Sequence, residues 1–224
     1  MSICAIHQPN FFPWLGYFDK IKRADTFVFL DDVAYPKSGS GAGSWSNRVK
    51  MLISGKPSWC GCPIKRFSGI QKINTVEIDN SQLWKKKFLK SIMYNYSKTV
   101  NFQNIMPIIT ELVEYPTNNL CALNINAIKK ISSLLGINTK FINSSSLEVK
   151  TASTQLLIDI TKKINADSYL CGGGASSYQD DDKITTSGIN LIYQNFKTNA
   201  YCEQNFEPGL SIIDYLMKSQ SLTI

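Results

Sequence analysis

The sequence predicts an α/β protein, a mostly parallel sheet flanked by helices, read as one domain over residues 1–224 with a helical insert at about 81–135. Three observations predict it. Short apolar runs at 3–6 (ICAI), 26–30 (TFVFL), 139–142 (TKFI), 168–171 (SYLC) and 191–196 (LIYQNF) have the length of strands. Helical patterns separate the first two runs and recur at 154–164. Turn-forming or polar residues follow several of the runs, as they do at the carboxyl ends of strands in a parallel sheet.

The first unit reads strand, turn, helix, strand. ICAI is short and continuously apolar. Pro9 and Pro13 exclude a regular helix across 8–12, because each lacks an amide donor and restricts its predecessor. A helix begins near Trp14, with Trp14, Phe18 and Ile21 at helical spacing and Asp19, Lys20 and Lys22 expected to face outward. TFVFL then stops at Asp31-Asp32. Two short strands joined through one helix form a βαβ-like unit, which implies a parallel, right-handed crossover.

Residues 36–47 (PKSGSGAGSWSN) read as a Gly/Ser-rich loop, a candidate lid. VKMLI and INTVEI read as strands, with PSWCGCPI irregular or extended between them. From Ser81, a plausible N-cap, to about Leu135 the pattern is helical, and Gly136 ends the last helix. After TKFI, TQLLIDITKKI reads as an amphipathic helix, and GGGASSYQDDD follows SYLC. No repeat or linker interrupts the chain.

Composition narrows the class. Hydrophobic residues make up 43% and aromatics 11%, values of a globular rather than a disordered chain. No apolar run approaches the ~20 residues of a membrane span, and the N-terminus lacks a signal-like segment. A cytoplasmic protein without an integral membrane segment is expected. Its six cysteines are then expected as thiols, and His7, the one histidine, leaves a zinc site short of ligands. The formal charge of +7 favours an anionic partner, although part of the excess lies in WKKKFLK, which also reads as a solvated helix face.

His7 follows the carboxyl end of one strand, and Asp31 and Asp32 follow that of the next, so the topology places a base and two acids on one rim. His7 is the candidate general base, with one ring nitrogen held by Gln8, a backbone carbonyl or an aspartate. Asp31 or Asp32 could orient it, hold a substrate amine or bind a cation; a turn-capping role competes. Gly172, Gly173 and Gly174 permit close backbone approach to phosphate or carboxylate, but match neither a Walker nor a dinucleotide fingerprint. Arg48, after Asn47, offers a fork-shaped donor to an anion. Tyr178, Tyr193, Tyr201 and Gln204 are further candidates to line the crevice. Asp180-Asp181-Asp182 reads as a capped or solvated loop. No nucleophile elbow and no second histidine are present, so serine-hydrolase and zinc-peptidase chemistry lack parts.

The blocks HQPNFFPWLGYFDKI, ADTFVFLDDVAYPK, WSNRVKM, LLGINTKFINSSSL, ADSYLCGGGASSYQ, GINLIYQNF and FEPGLSIIDYLM, taken in order, resemble the WbqC-like protein family over nearly the whole chain. Ala34, the GCPI at 61–64 and Gln155 depart from its usual pattern. The resemblance implies a bacterial protein of surface-polysaccharide (often O-antigen, part of lipopolysaccharide) synthesis, with a suggested role in transferring glycine or another amino acid to a sugar. On the matching blocks, Gln8, Asn10, Trp14, Tyr17, Lys37, Asn47, Arg48, the three glycines and Tyr178 are the expected substrate-binding residues. A weaker likeness in layout is to the Rossmann-like and nucleotidylyltransferase-like folds, of which pantothenate synthetase is one; its second motif histidine is absent here.

The expected function is an aminoacyl, notably glycyl, group transferase acting on a nucleotide- or lipid-linked sugar. The activated donor would be an adenylate made from ATP and an amino acid, or aminoacyl-tRNA; neither DNA nor a metal is expected. An adenylate-forming ligase or nucleotidyltransferase is the enzymatic alternative. A non-catalytic subunit of a polysaccharide assembly complex is the other.

Overall fold

The structure, a computed structural model, describes residues 1–36, 44–202 and 206–223. These fall into two compact units. The first comprises residues 1–8, 16–32 and 137–197, and the second comprises 9–15, 33–136 and 198–224.

In the first unit, β1 (Ile3–His7), β2 (Thr26–Phe29), β5 (Lys140–Asn143), β6 (Ser168–Cys171) and β7 (Asn190–Tyr193) form a wholly parallel sheet in the order β5-β2-β1-β6-β7. The expected α/β class with its parallel sheet is present. From β1 the chain steps outward through β2 to β5, then returns across the sheet to β6 and β7. The direction of winding therefore reverses between β1 and β6. Right-handed crossovers put α1 (Leu15–Lys22) on one face, and α5 (Ser153–Lys163) and α6 (Asp181–Thr186) on the other. Side-chain alternation agrees. Tyr17 of α1 packs on His7 and Phe27 of one face, whereas Cys4, of opposite parity on β1, is hydrogen-bonded to Thr161 of α5.

The second unit is wider than the expected helical insert. Its β3 (Arg48–Ile53) and β4 (Lys56–Gly61) pair antiparallel through Ser54-Gly55, both at positive φ, as a two-residue hairpin turn requires. The helices α2 (Trp84–Tyr96), α3 (Phe102–Glu114) and α4 (Leu120–Leu134) follow. On α2 the buried residues Trp84, Phe88, Ile92 and Tyr96 recur every four positions, which gives one apolar stripe. Asn119 caps α4 by accepting from the Ala122 amide, and Gly136 ends it at φ +69°. The C-terminal α7 (Ile212–Lys218) starts from Ser211, whose hydroxyl accepts from the Ile213 amide.

Three local readings change. INTVEI is not a strand: residues Ile73–Thr75 form a single 3₁₀ turn, followed only by isolated bridges at Glu77 and Ile78. Ser81 does not cap α2; its amide and hydroxyl donate instead to Asp79, and the helix starts three residues later. Lys20 does not face outward but is 3% exposed. Of the Gly/Ser-rich loop read as a candidate lid, residues 37–43, Lys37 included, lie outside the described residues, as does Gln204.

Among the described residues no helix is long and apolar enough to cross a membrane, and no group of three His, Cys, Asp or Glu side chains could hold a metal ion. No disulfide joins the six cysteines.

Candidate functional site

The reversal between β1 and β6 is where a parallel sheet opens a ligand crevice. His7 closes β1 and Cys171 closes β6, with Gly172-Gly173-Gly174 immediately beyond. The last paired positions of these strands are Ala5 and Leu170. His7 turns its carbonyl to the Leu30 amide on the β2 side. Since strand carbonyls alternate, that of Ile6 points the other way, into the opening beside β6. Lys20 Nζ donates to it at 3.3 Å.

Lys20 is the residue that sequence reasoning missed. Helical periodicity put it outside with Asp19 and Lys22, yet its stem runs back to the sheet. No carboxylate of the described residues lies within ion-pair distance of its ammonium. Burial, the largest cause, pushes its pKa down to about 8, partly offset by the nearby Cys171 and Cys4. It is still mostly protonated at neutral pH. A buried ammonium with one carbonyl for company is a costly arrangement that an anion would relieve.

His7 is half-buried, and its Nδ1 lies 3.0 Å from the carbonyl oxygen of Gln8. A carbonyl only accepts, so Nδ1 carries the proton and Nε2 has an open lone pair. The Tyr17 hydroxyl donates to the same oxygen at 2.9 Å, and its ring meets the imidazole edge-on at 4.8 Å. Tautomer and ring plane are therefore fixed by Gln8 and Tyr17. Burial, then the charge of Lys20, depresses the His7 pKa to about 3. The ring is neutral at physiological pH.

The two acids separate in role. Asp31 is buried and bound by the segment that closes the neighbouring strand β5: its carboxylate accepts from the Ser145 amide (2.9 Å) and hydroxyl (2.8 Å) and from Asn143 Nδ2 (3.3 Å). Ser144 Oγ sits between Asp31 and Asp32, and its one proton serves either carboxylate at a time. Asp32 is half-buried, with one oxygen against Ser144. Neither acid is among the groups hydrogen-bonded to His7, whose orienting partner is the Gln8 backbone.

The three glycines have neither positive φ nor a neighbour within 4 Å of a would-be Cβ. Backbone strain and packing therefore do not require glycine there, and methyl groups would fill open space beside Cys171. The Cys171 thiol is pushed up by burial, which keeps it protonated and unreactive. Tyr178 is 67% exposed, and Tyr193 donates to Asp181 at 2.6 Å.

The remaining expected residues belong to the second unit. Asn10 is buried, and Trp14 pairs through its backbone with Ser211. Phe11 and Phe12, which follow His7 so closely in sequence, pack on Phe88 instead. Asn47 is a clamp: its side chain accepts from Tyr35 Oη (2.7 Å) and the Ser44 amide (2.8 Å) and donates to the Cys62 carbonyl (3.0 Å). Arg48 lies over the Trp59 ring at 4.3 Å. Tyr201 donates to Asp214.

The fold and the crevice together define a class, an α/β protein with a doubly wound parallel sheet and its polar residues at the winding reversal. More particularly, the chain belongs to the WbqC-like protein family, whose profile matches residues 8–223. It is also similar to the uncharacterized protein Rv1507c of Mycobacterium tuberculosis (strain ATCC 25618 / H37Rv), at 31% identity over 223 residues, covering 96% of this chain and 93% of that protein. No solved structure matches.

Proposed function

We propose that the protein is a group transferase of bacterial surface-polysaccharide synthesis that moves an aminoacyl group onto a nucleotide- or lipid-linked sugar, with its reacting centre at the β1/β6 opening. One observation carries this reading: the buried Lys20 ammonium, with no carboxylate partner among the described residues, within electrostatic reach of His7, whose Nδ1 is taken by the Gln8 carbonyl and whose Nε2 is left to act as the base. An anionic group of donor or acceptor docks against Lys20 and the amides of 172–174. Its charge offsets the influence of Lys20 on His7, so the imidazole becomes a stronger base once substrate is bound.

The acceptor hydroxyl or amine then attacks the aminoacyl carbonyl of an adenylate or an aminoacyl-tRNA ester. Its proton passes to His7 Nε2, and the phosphate or ribose oxygen leaves with the bonding electron pair. Asp32, whose second oxygen is not engaged by any described residue, holds the amino acid's ammonium. Family membership supports the reading.

The test is mass spectrometry of the surface glycan from cells carrying the wild-type gene, a deletion, or the Lys20→Met or His7→Gln variant. Loss of one amino-acid residue mass in all three altered strains is expected. A glycan truncated by whole sugars in the deletion, or full decoration in both variants, overturns it.

A further inference from the structure

We propose that the open groove beside Arg48 in the second unit is a binding site for a phosphate attached to a ring, either a sugar phosphate or a nucleotide. The inference rests on the transferase reading only for its biological role, as a donor or acceptor subsite; the binding claim stands on the groove itself.

The β3–β4 hairpin builds one side of it. Arg48 pairs across the strands with Gly61, and Lys50 with Trp59, so all four share a face. A Cβ on Gly61 would lie 2.5 Å from the Asn47 carbonyl oxygen and 2.9 Å from Arg48 Cβ. Glycine is what lets β4 close onto Arg48. The guanidinium then lies over the Trp59 ring at 4.3 Å, with Lys50 Nζ at 5.5 Å and the Trp45 ring edge-on at 4.8 Å.

These features match a ring-bearing anion on three counts. The groove has a volume of about 450 Å³, and small-molecule sites run from about 300 to 1,000 Å³. Its lining holds two cations, Arg48 and Lys87, and neutral Gln82 and Ser91, but no carboxylate. Arg48 Nε is buried without a hydrogen-bond partner, a donor that a phosphate oxygen would satisfy. Trp45 and Trp59 are each 43% exposed, large aromatic surfaces that the hydrophobic interior leaves to solvent. Such a ring offers a stacking platform to a base or to the apolar face of a sugar.

The test follows the indole N–H signals of the four tryptophans by ¹⁵N NMR during titration with uridine monophosphate, with glucose 1-phosphate and with inorganic phosphate. At least one ring-bearing phosphate is expected to shift the Trp59 signal saturably, about tenfold more tightly than inorganic phosphate, and the arm that does so names the ring. Lys87→Gln, on an exposed side chain, and Arg48→Met are each expected to weaken that binding about fivefold or more. Lys87→Gln alone decides the point where Arg48→Met fails to fold. An unmoved Trp59 in both ring-bearing arms, equal binding of inorganic phosphate, or unchanged affinity in Lys87→Gln overturns the proposal. The Lys20→Met protein is expected to keep this binding, so loss of the transferase reading would leave the groove standing.

Discussion

The ammonium of Lys20 sits 3.3 Å from the carbonyl oxygen of Ile6, one residue before the chain's only histidine, and within electrostatic reach of that ring. A cation held there serves the fold poorly. It depresses the neighbouring imidazole and forfeits water, which makes it the part of the site with the sharpest consequences for stability and pH.

Lys20→Met should stabilise the protein. The native pKa of about 8 lies below the usual lysine value, so at neutral pH the folded state bears a charge it disfavours. That cost is fully present below pH 8 and fades as pH rises from 8 to about 10.5, where the unfolded chain also gives up the proton. We expect a gain of about 2–3 kcal/mol at pH 7, shrinking toward zero near pH 10.5, in the difference between variant and wild-type urea midpoints. Taking the difference removes the buried tyrosines and cysteines, which titrate in the same range.

His7 predicts acid sensitivity. Its folded pKa of about 3 lies below the unfolded value of about 6.5, so as pH falls through that window the unfolded chain takes up a proton that the native ring refuses. Wild type should lose up to about 2 kcal/mol relative to His7→Gln between pH 7 and pH 4.5, allowing for the solvent this half-buried ring still meets. The single histidine makes the check direct: its C2 proton should not titrate between pH 8 and pH 5 in the unliganded protein.

Asp31→Ala should cost about 3 kcal/mol in chemical denaturation, because it leaves Ser145 and Asn143 donors without their acceptor. Asp32→Ala should cost less than about 1 kcal/mol while impairing aminoacyl transfer. The two substitutions thus separate the structural acid from the one proposed to hold the ligand.

Gly173→Ala should leave the melting temperature within about 2 °C of wild type, since nothing lies within 4 Å of the added methyl and φ is not positive. A loss of transfer in this stable variant would locate the ligand at the 172–174 backbone.

Asp214 anchors the second unit. It is fully buried and accepts from Tyr96 (2.9 Å), Tyr201 (2.6 Å) and Lys218 (2.9 Å). Asp214→Ala should therefore cost about 3–5 kcal/mol, measured by thermal or urea denaturation, because it removes at once the buried acceptor shared by a cation and two hydroxyls.

Much of this architecture could be read along the chain. The runs ICAI, TFVFL and SYLC became β1, β2 and β6 because a strand covered on both faces must be apolar throughout, and that signal is local. Gly136 marked the end of α4 for an equally local reason, the positive φ its backbone adopts. Pairing strengths and chain directions are different. INTVEI has the composition of a strand but meets no neighbouring strand to complete a ladder, so it closes into a turn. Lys20 obeys helical periodicity as an outward residue, yet its four-carbon stem reaches back to a carbonyl that only the sheet's register leaves open.

The class of fold, the place of His7 at a strand end and the polar residues that follow the strands are all written locally in the chain, since hydrophobic length and turn chemistry act over a few residues. Which of those residues meet depends on the folded chain. Folding gave Asp31 to residues 143–145 at the end of β5, sent Phe11 and Phe12 to Phe88, and put Lys20 against the opening between β1 and β6. Burial and hydrogen-bond competition are settled among groups far apart in the chain, which no local pattern records.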